Sequence, residues 1–138
     1  MPLTLTLTEG VLPPGQEAVA FRRLSDALLR WHGLTGNPFM THAMSGTIQI
    51  LPKQATYTGP TPGPVALIEW KVPPIAFTQR EVQIGYIDEA TSIIHELSGG
   101  RHSRAQIWVS VVHMVDGGWG IGGRAPTAAE LGAAIAGG

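Results

Sequence analysis

The residue with the clearest chemical potential stands second in the chain. Removal of Met1, which a small neighbour usually permits, would leave Pro2 as the N-terminus, and an N-terminal proline is a secondary amine. In a dry pocket the protonated form of that amine is disfavoured. Its pKa then falls toward neutrality, which suits a general base or a nucleophile. Many chains begin Met-Pro to no catalytic end, so the dipeptide alone leaves both readings open. His32 and His113 can exchange a proton near neutral pH, yet they also read as a polar helix end and as a satisfied core or interface histidine. Other signals fail on spacing. Gly118-Trp119-Gly120-Ile121-Gly122-Gly123 satisfies G-x-G-x-x-G but lacks the strand–helix continuation of a dinucleotide fold. His95-Glu96 opens a zinc-protease pattern, but position 99 is Gly where the second ligand belongs. The five histidines show no metal-ligand spacing with acidic partners, so no metal is expected and no cofactor is implied. The chain has no cysteine and hence no thiolate chemistry, and no serine lies in a G-x-S-x-G elbow.

The elements that must position these residues read as one unit written twice. Leu3, Leu5 and Leu7 alternate with Thr4, Thr6 and Thr8, a period-two strand of good β formers. A helix follows from about Gly15 to Trp31, with Ala20, Leu24, Ala27, Leu28 and Trp31 on one stripe. Gly33 and Gly36-Asn37-Pro38 stop it, and a second strand falls between Phe39 and Leu51. A Pro/Gly/Thr connector covers Pro52 to Pro64. The pattern then restarts: a strand over Val65–Val72, and a helix over Thr78–Leu97 carrying Ile84, Ile87, Ile94 and Leu97 at helical spacing. Gly99-Gly100 caps that helix, and a strand runs from Ala105 to Met114. A glycine-rich hairpin-like segment, Gly117–Gly123, follows. Thr127-Ala128-Ala129-Glu130 is a capping box that opens a short helix to about Ile135.

These pseudo-repeats, about 2–51 and 65–123, predict an α+β fold: two β-α-β units forming a four-stranded mixed sheet with both helices on one face. Each crossover is right-handed and makes its own two strands parallel. Neither half is long enough for a comfortable core, so the 138 residues form a single domain. The face of the sheet opposite the helices has no cover within the chain, which implies partner subunits. Composition agrees. Only 14% of residues are charged against 43% hydrophobic, a thin coat for a small domain. A net charge of −1 gives no footprint for nucleic acid or an anionic membrane. No apolar run nears the roughly 18 residues of a membrane span, and no signal peptide is read. A soluble cytoplasmic oligomer is the expectation.

The segment Met114-Val115-Asp116-Gly117-Gly118-Trp119-Gly120-Ile121-Gly122-Gly123 resembles the C-terminal segment of 4-oxalocrotonate tautomerase (4-OT), where an aromatic residue precedes Gly-Ile-Gly-Gly. The Pro-initiated strand closing in Glu9-Gly10 is similar to that family's first strand. Gly33-Leu34-Thr35-Gly36 and Ile107-Trp108-Val109 resemble the double-length group that includes cis-3-chloroacrylic acid dehalogenase. The chain thus resembles the tautomerase superfamily from Pro2 to about Pro126, in the joint order of weak motifs.

The resemblance implies a tautomerase/MIF-like fold and a homotrimer. It implies an isomerase in which Pro2 is the general base for enol–keto conversion of a small unsaturated 2-hydroxy or 2-keto carboxylic acid. Trp119 matches the aromatic pocket wall, although it reads equally as a hydrophobic plug between subunits. Several family positions are changed. The tautomerase's substrate-binding arginine just after the first strand falls near Val11, and its second, at the head of the last strand, on Trp108. The dehalogenase's arginine pair falls near Pro73 and Ala76, its water-activating glutamate on His113, and its helix-end histidine on Trp31, beside His32. Lys71 and Arg124, cations at the expected pocket rim, are the candidates to hold a substrate carboxylate or polarise a carbonyl, and each also reads as a solvated surface charge; His113 and His32 are further substrate-binding candidates. Two alternatives stand beside this: a hydratase or dehalogenase of a small unsaturated acid, and a non-catalytic trimeric binding protein.

Overall fold

The computed structural model describes residues 1–137. Strand β1 (Pro2–Thr8) is followed by helix α1 (Gln16–Trp31), a short helix α2 (Pro38–Ala43) and strand β2 (Ser45–Leu51). A two-stranded ribbon, β3 (Tyr57–Thr58) and β4 (Thr61–Pro62), occupies the connector. Then come β5 (Ala66–Val72), α3 (Arg80–Leu97), β6 (Ile107–His113) and α4 (Ala128–Gly137). The main sheet has the order β2-β1-β5-β6. β1 runs parallel to β2 and β5 parallel to β6, while β1 and β5 are antiparallel about the central pair Leu5–Ile68. Two β-α-β units therefore meet across an approximate two-fold axis, the mixed four-stranded sheet that the repeat predicts.

One face of the sheet is the core. Leu3, Leu5, Leu7, Ile68 and Trp70 are buried beneath Ala20, Leu24, Ala27 and Leu28 of α1 and Tyr86, Ala90, Ile93 and Ile94 of α3. The buried stripe of α3 differs from expectation. Ile84 and Ile87 are exposed, and Tyr86 turns inward in their place. Its hydroxyl accepts from Trp70 Nε1 at 2.7 Å and donates to the Leu24 carbonyl at 3.0 Å. That bond anchors the strand–helix–helix junction and fixes which face of α3 points in. The α1–α3 contact is closed by Trp31, whose ring lies over Gly85.

Helix α2 is an addition to the sequence reading. Asn37-Pro38 ends one helical pattern and also begins another. Asn37 Oδ1 accepts from Met40 N at 2.9 Å, and proline suits the first helical turn. The capping box on α4 forms with both arms, Glu130 N to Thr127 Oγ1 and Thr127 N to Glu130 Oε2, each 3.2 Å. On the opposite face of the sheet, Leu67, Trp108 and Val112 are exposed, and neither long helix covers them.

Candidate active site

The topology gathers every sequence-nominated residue at one end of the sheet. β1 starts there, α1 returns there to His32, β5 and β6 end there in Lys71 and His113, and the glycine segment follows directly. Pro2 is half-buried and lies next to Ser45 of β2 in register. The antiparallel β1–β5 ladder pairs Leu3 with Trp70, and one step further sets Pro2 opposite Lys71. Opposed residues of an antiparallel pair project to the same face. Leu3 and Trp70 point into the core, so Pro2 and Lys71 both lie on the open face, as neighbours.

Met1 occupies this end in the chain as described. Its side chain is buried, and its amine donates to the Ala43 carbonyl of α2. Burial lowers the pKa of that amine to about 6 from an ordinary 8.0, because desolvation disfavours the charged form. Where it stands, just before β1, this amine is mostly unprotonated at neutral pH.

The two histidines have defined protein partners. His32 Nδ1 donates to the Leu28 carbonyl at 2.8 Å and Nε2 accepts from Phe77 N at 3.1 Å. Both ring nitrogens are committed, and desolvation lowers the imidazole pKa. His32 thus holds the loop after β5, and neither ring nitrogen is left for a substrate. His113 Nε2 donates to the Ala76 carbonyl at 2.7 Å on the same loop, while the residue itself is exposed.

Trp119 is 5% exposed and packs into the core of its own chain. After it, Ile121 and Arg124 exchange two backbone hydrogen bonds of 3.0 Å around Gly122-Gly123. Both glycines have positive φ, as a two-residue hairpin turn requires. Arg124 is exposed and borders a cavity of about 380 Å³ with Phe39 of α2 and Leu131 of α4. Pro2, Lys71 and Trp119 do not line that cavity. Within one chain, then, the nominated groups share an end of the sheet without closing a common pocket.

Among the described residues no three His, Asp or Glu side chains converge as a metal site, and no helix is long and apolar enough to cross a membrane. The sequence reading passed over Lys53, Arg101 and His102, which meet at the other end of β1. Gly99-Gly100 was legible only as a helix cap, and the residues after it gave no periodic signal.

No family model and no curated protein matches the chain. Solved structures do. A fused 4-OT solved as a symmetric trimer is 14% identical, with 96% of this chain and 99% of that one covered at a TM-score of 0.75. The protein Pt0534, solved after inactivation by 2-oxo-3-pentynoate, is 17% identical over 96% and 99% of the two chains, also at 0.75. N1, a member of the cis-3-chloroacrylic acid dehalogenase family, is 10% identical over 96% and 89%, again at 0.75. The resemblance to the tautomerase superfamily read from the sequence is therefore present in the whole architecture, and this chain has the double-length tautomerase fold.

Proposed function

We propose that the chain is a tautomerase of the 4-OT kind, in which Pro2, freed by removal of Met1, is the general base. The observation that carries this reading is the cross-strand placement of Lys71 beside Pro2, at a chain start whose surroundings depress an amine's pKa. A basic amine at neutral pH takes the hydroxyl proton of a 2-hydroxydienoate. The same nitrogen then delivers a proton to carbon as the 2-keto form is made, so one proton is taken up and one is returned. The Lys71 ammonium binds the substrate carboxylate, which brings the reacting atoms to Pro2 and holds them there. Arg124 is the second candidate for that clamp.

The pocket closes on assembly. A homotrimer covers the open sheet face carrying Leu67, Trp108 and Val112 and brings a neighbour's surface over the half-buried Pro2 and exposed Lys71 at its end. Support comes from the symmetric trimer of the fused 4-OT with the same fold.

The test uses 2-oxo-3-pentynoate, the inactivator of the structurally similar Pt0534. Protein lacking Met1 is treated with it and mapped by peptide mass spectrometry, and turnover of an enol panel is compared with that of Pro2→Ala. An adduct on Pro2 and loss of turnover in the variant are expected. Unchanged turnover in Pro2→Ala refutes the assigned base. A native protein that keeps Met1 has an amide at Pro2, and the buried Met1 side chain would then mark a binding protein instead.

A further inference from the structure

The approximate two-fold axis through Leu5 and Ile68 gives the Pro2 end a counterpart. Pro2 stands three residues before Leu5, and Val65 stands three before Ile68. At the far end of β1, bordered by Thr8 and by Pro64 next to Val65, lies a cavity of about 610 Å³, within the range of about 300–1,000 Å³ typical of small-molecule sites. It belongs to the second unit as the Pro2 end belongs to the first. The segment joining helix to strand is the one that supplies Ala43, whose carbonyl accepts from the Met1 amine. In the second unit the equivalent segment supplies Arg101 and His102.

The walls of this cavity are held by hydrogen bonds. Val65 N donates to Thr8 Oγ1 at 2.8 Å, the Thr8 and Thr56 hydroxyls meet at 2.7 Å, and Thr56 Oγ1 donates to the Gly63 carbonyl at 2.8 Å. That relay clamps the start of the second unit onto the end of β1. His102 is 6% exposed and tied at three points. Its N–H donates to the buried Ser98 Oγ at 3.1 Å, its carbonyl accepts from His95 Nδ1 at 2.8 Å, and its Nε2 donates to the Gln106 carbonyl at 2.8 Å. Nδ1 has no protein partner among the described residues, and it is not a buried unsatisfied atom, so it keeps solvent access.

Two cations complete the lining. Among the described residues Arg101 spends only Nε on the protein, donating to the Ser98 carbonyl at 3.0 Å, and its two terminal nitrogens have no protein acceptor there. Among the described residues the Lys53 ammonium has no carboxylate partner, whereas Arg23, Arg30 and Arg104 are all paired. One carboxylate, Glu9, also faces the cavity. Lysine and arginine against a single glutamate leave a surplus of one positive charge, which suits a monoanion and opposes a dianion. Val11 and Pro64 give the remainder of the wall an apolar character.

We infer that this cavity is a second binding site, distinct from the Pro2 end, for a small organic monocarboxylate held by Arg101 and Lys53. Val65 is a mid-chain residue whose peptide nitrogen is no base and donates to Thr8, so the site has no counterpart of the Pro2 amine. A chain that retains Met1 and has no activity binds the same anion here.

The test is a 1H–15N NMR titration of the full chain with sodium crotonate, with crotonamide as the neutral analogue and fumarate as the dianion. Crotonate is expected to shift the Gly10, Arg101 and His102 amides saturably, with crotonamide and fumarate at least tenfold weaker at these signals. Lys53→Gln and Arg101→Gln should each weaken crotonate there at least tenfold. Lys53→Gln removes no side-chain hydrogen bond, so its folding is not at issue. Shifts confined to residues near Pro2, equal shifts from crotonamide, or an unaltered crotonate affinity in Lys53→Gln would each overturn the assignment.

Discussion

His32 accepts the backbone N–H of Phe77 at 3.1 Å while the two rings meet edge to face with centroids 4.7 Å apart. Phe77 is the one non-glycine residue among those described with positive φ, at 55°, a conformation that costs a bulky residue of order 1–3 kcal/mol. It is held there from three sides. His32 takes its N–H, Gln83 Nε2 donates to its carbonyl at 2.8 Å, and its ring is buried against Tyr86 at 5.3 Å. The same loop presents the Ala76 carbonyl to His113. The C-terminus of α1 thus sets the shape of the loop that borders the candidate site, and the imidazole does so only when neutral, with Nε2 as acceptor.

A pH dependence follows from that tautomer. Burial lowers the folded-state pKa of His32 below its ordinary 6.5, so the unfolded chain binds the proton more readily. Its stabilising effect is complete above pH 6.5 and is lost as pH falls through that value toward the folded pKa. Denaturant midpoints measured from pH 7.5 to 5 should fall in the parent protein. In His32→Gln the midpoint should be lower at pH 7.5, by about 1–3 kcal/mol of stability, and its decline with pH shallower. Parallel pH curves for the two proteins would contradict this.

Tyr86→Phe removes the hydroxyl that joins Trp70 Nε1 to the Leu24 carbonyl. Trp70 is fully buried, so its N–H loses its partner with no water to replace it. A loss of about 1–3 kcal/mol is expected from urea denaturation. The double variant Tyr86→Phe/Trp70→Phe should cost less than the two single losses added, because no orphaned donor remains.

At Gly46 the predicted effect is larger. A Cβ there would stand 2.1 Å from the Leu3 carbonyl oxygen and 2.8 Å from the Phe21 ring. A side chain could yield, but a strand carbonyl in a ladder cannot. Gly46→Ala should cost more than about 2 kcal/mol in thermal or urea unfolding. Since Gly46 pairs with Leu3, the distortion falls beside Pro2, and activity should drop at temperatures where the variant is still folded.

The open sheet face gives a prediction for assembly. Trp108 is 62% exposed and lies beside Leu67 in register. Trp108→Glu places a charge in the middle of the proposed trimer interface. Light scattering on a sizing column should find a trimer for the parent chain and a smaller species for the variant. A monomeric parent at micromolar concentration would remove the trimer from the reading.

The repeat was legible because each half carries its own period: Leu3-Leu5-Leu7 at two, and Ala20-Leu24-Ala27-Leu28 at 3.6. The parallel pairing within each half followed from its crossover connection, whereas the order β2-β1-β5-β6, set by how the halves meet, did not. Local polarity could not disclose the inward turn of Tyr86, which depends on an indole N–H sixteen residues away. Nor could it disclose that both nitrogens of His32 are spent on backbone, since Phe77 lies 45 residues on. The same holds for Lys53 and Arg101, which border one cavity only after β1, the connector and the end of α3 have met. Helix α2 was missed for a different reason. Asn37-Pro38 is equally good as a stop and as an N-cap, and only the Met40 N–H decides between them.

Lys71 and Arg124 compete for the substrate carboxylate, and the ladder favours Lys71. It faces Pro2 one step beyond the last ladder pair, Leu3–Trp70, and projects to the same face of the sheet. Arg124 instead borders the cavity between α2 and α4, which Pro2 does not line. An ammonium beside Pro2 would also oppose protonation of the proline, lowering its pKa and keeping its nitrogen unprotonated at neutral pH. Lys71→Ala should therefore act twice. It should raise KM for a carboxylate substrate by about tenfold or more, the cost of one charge-assisted contact. It should also move the acid limb of the kcat/KM pH profile upward, as the free proline regains basicity. Arg124→Ala should leave that limb in place and change KM by less. A steady-state pH series on the two variants, with both unfolding as the parent does, decides the matter. An unmoved limb in Lys71→Ala together with a shifted one in Arg124→Ala would reverse the assignment.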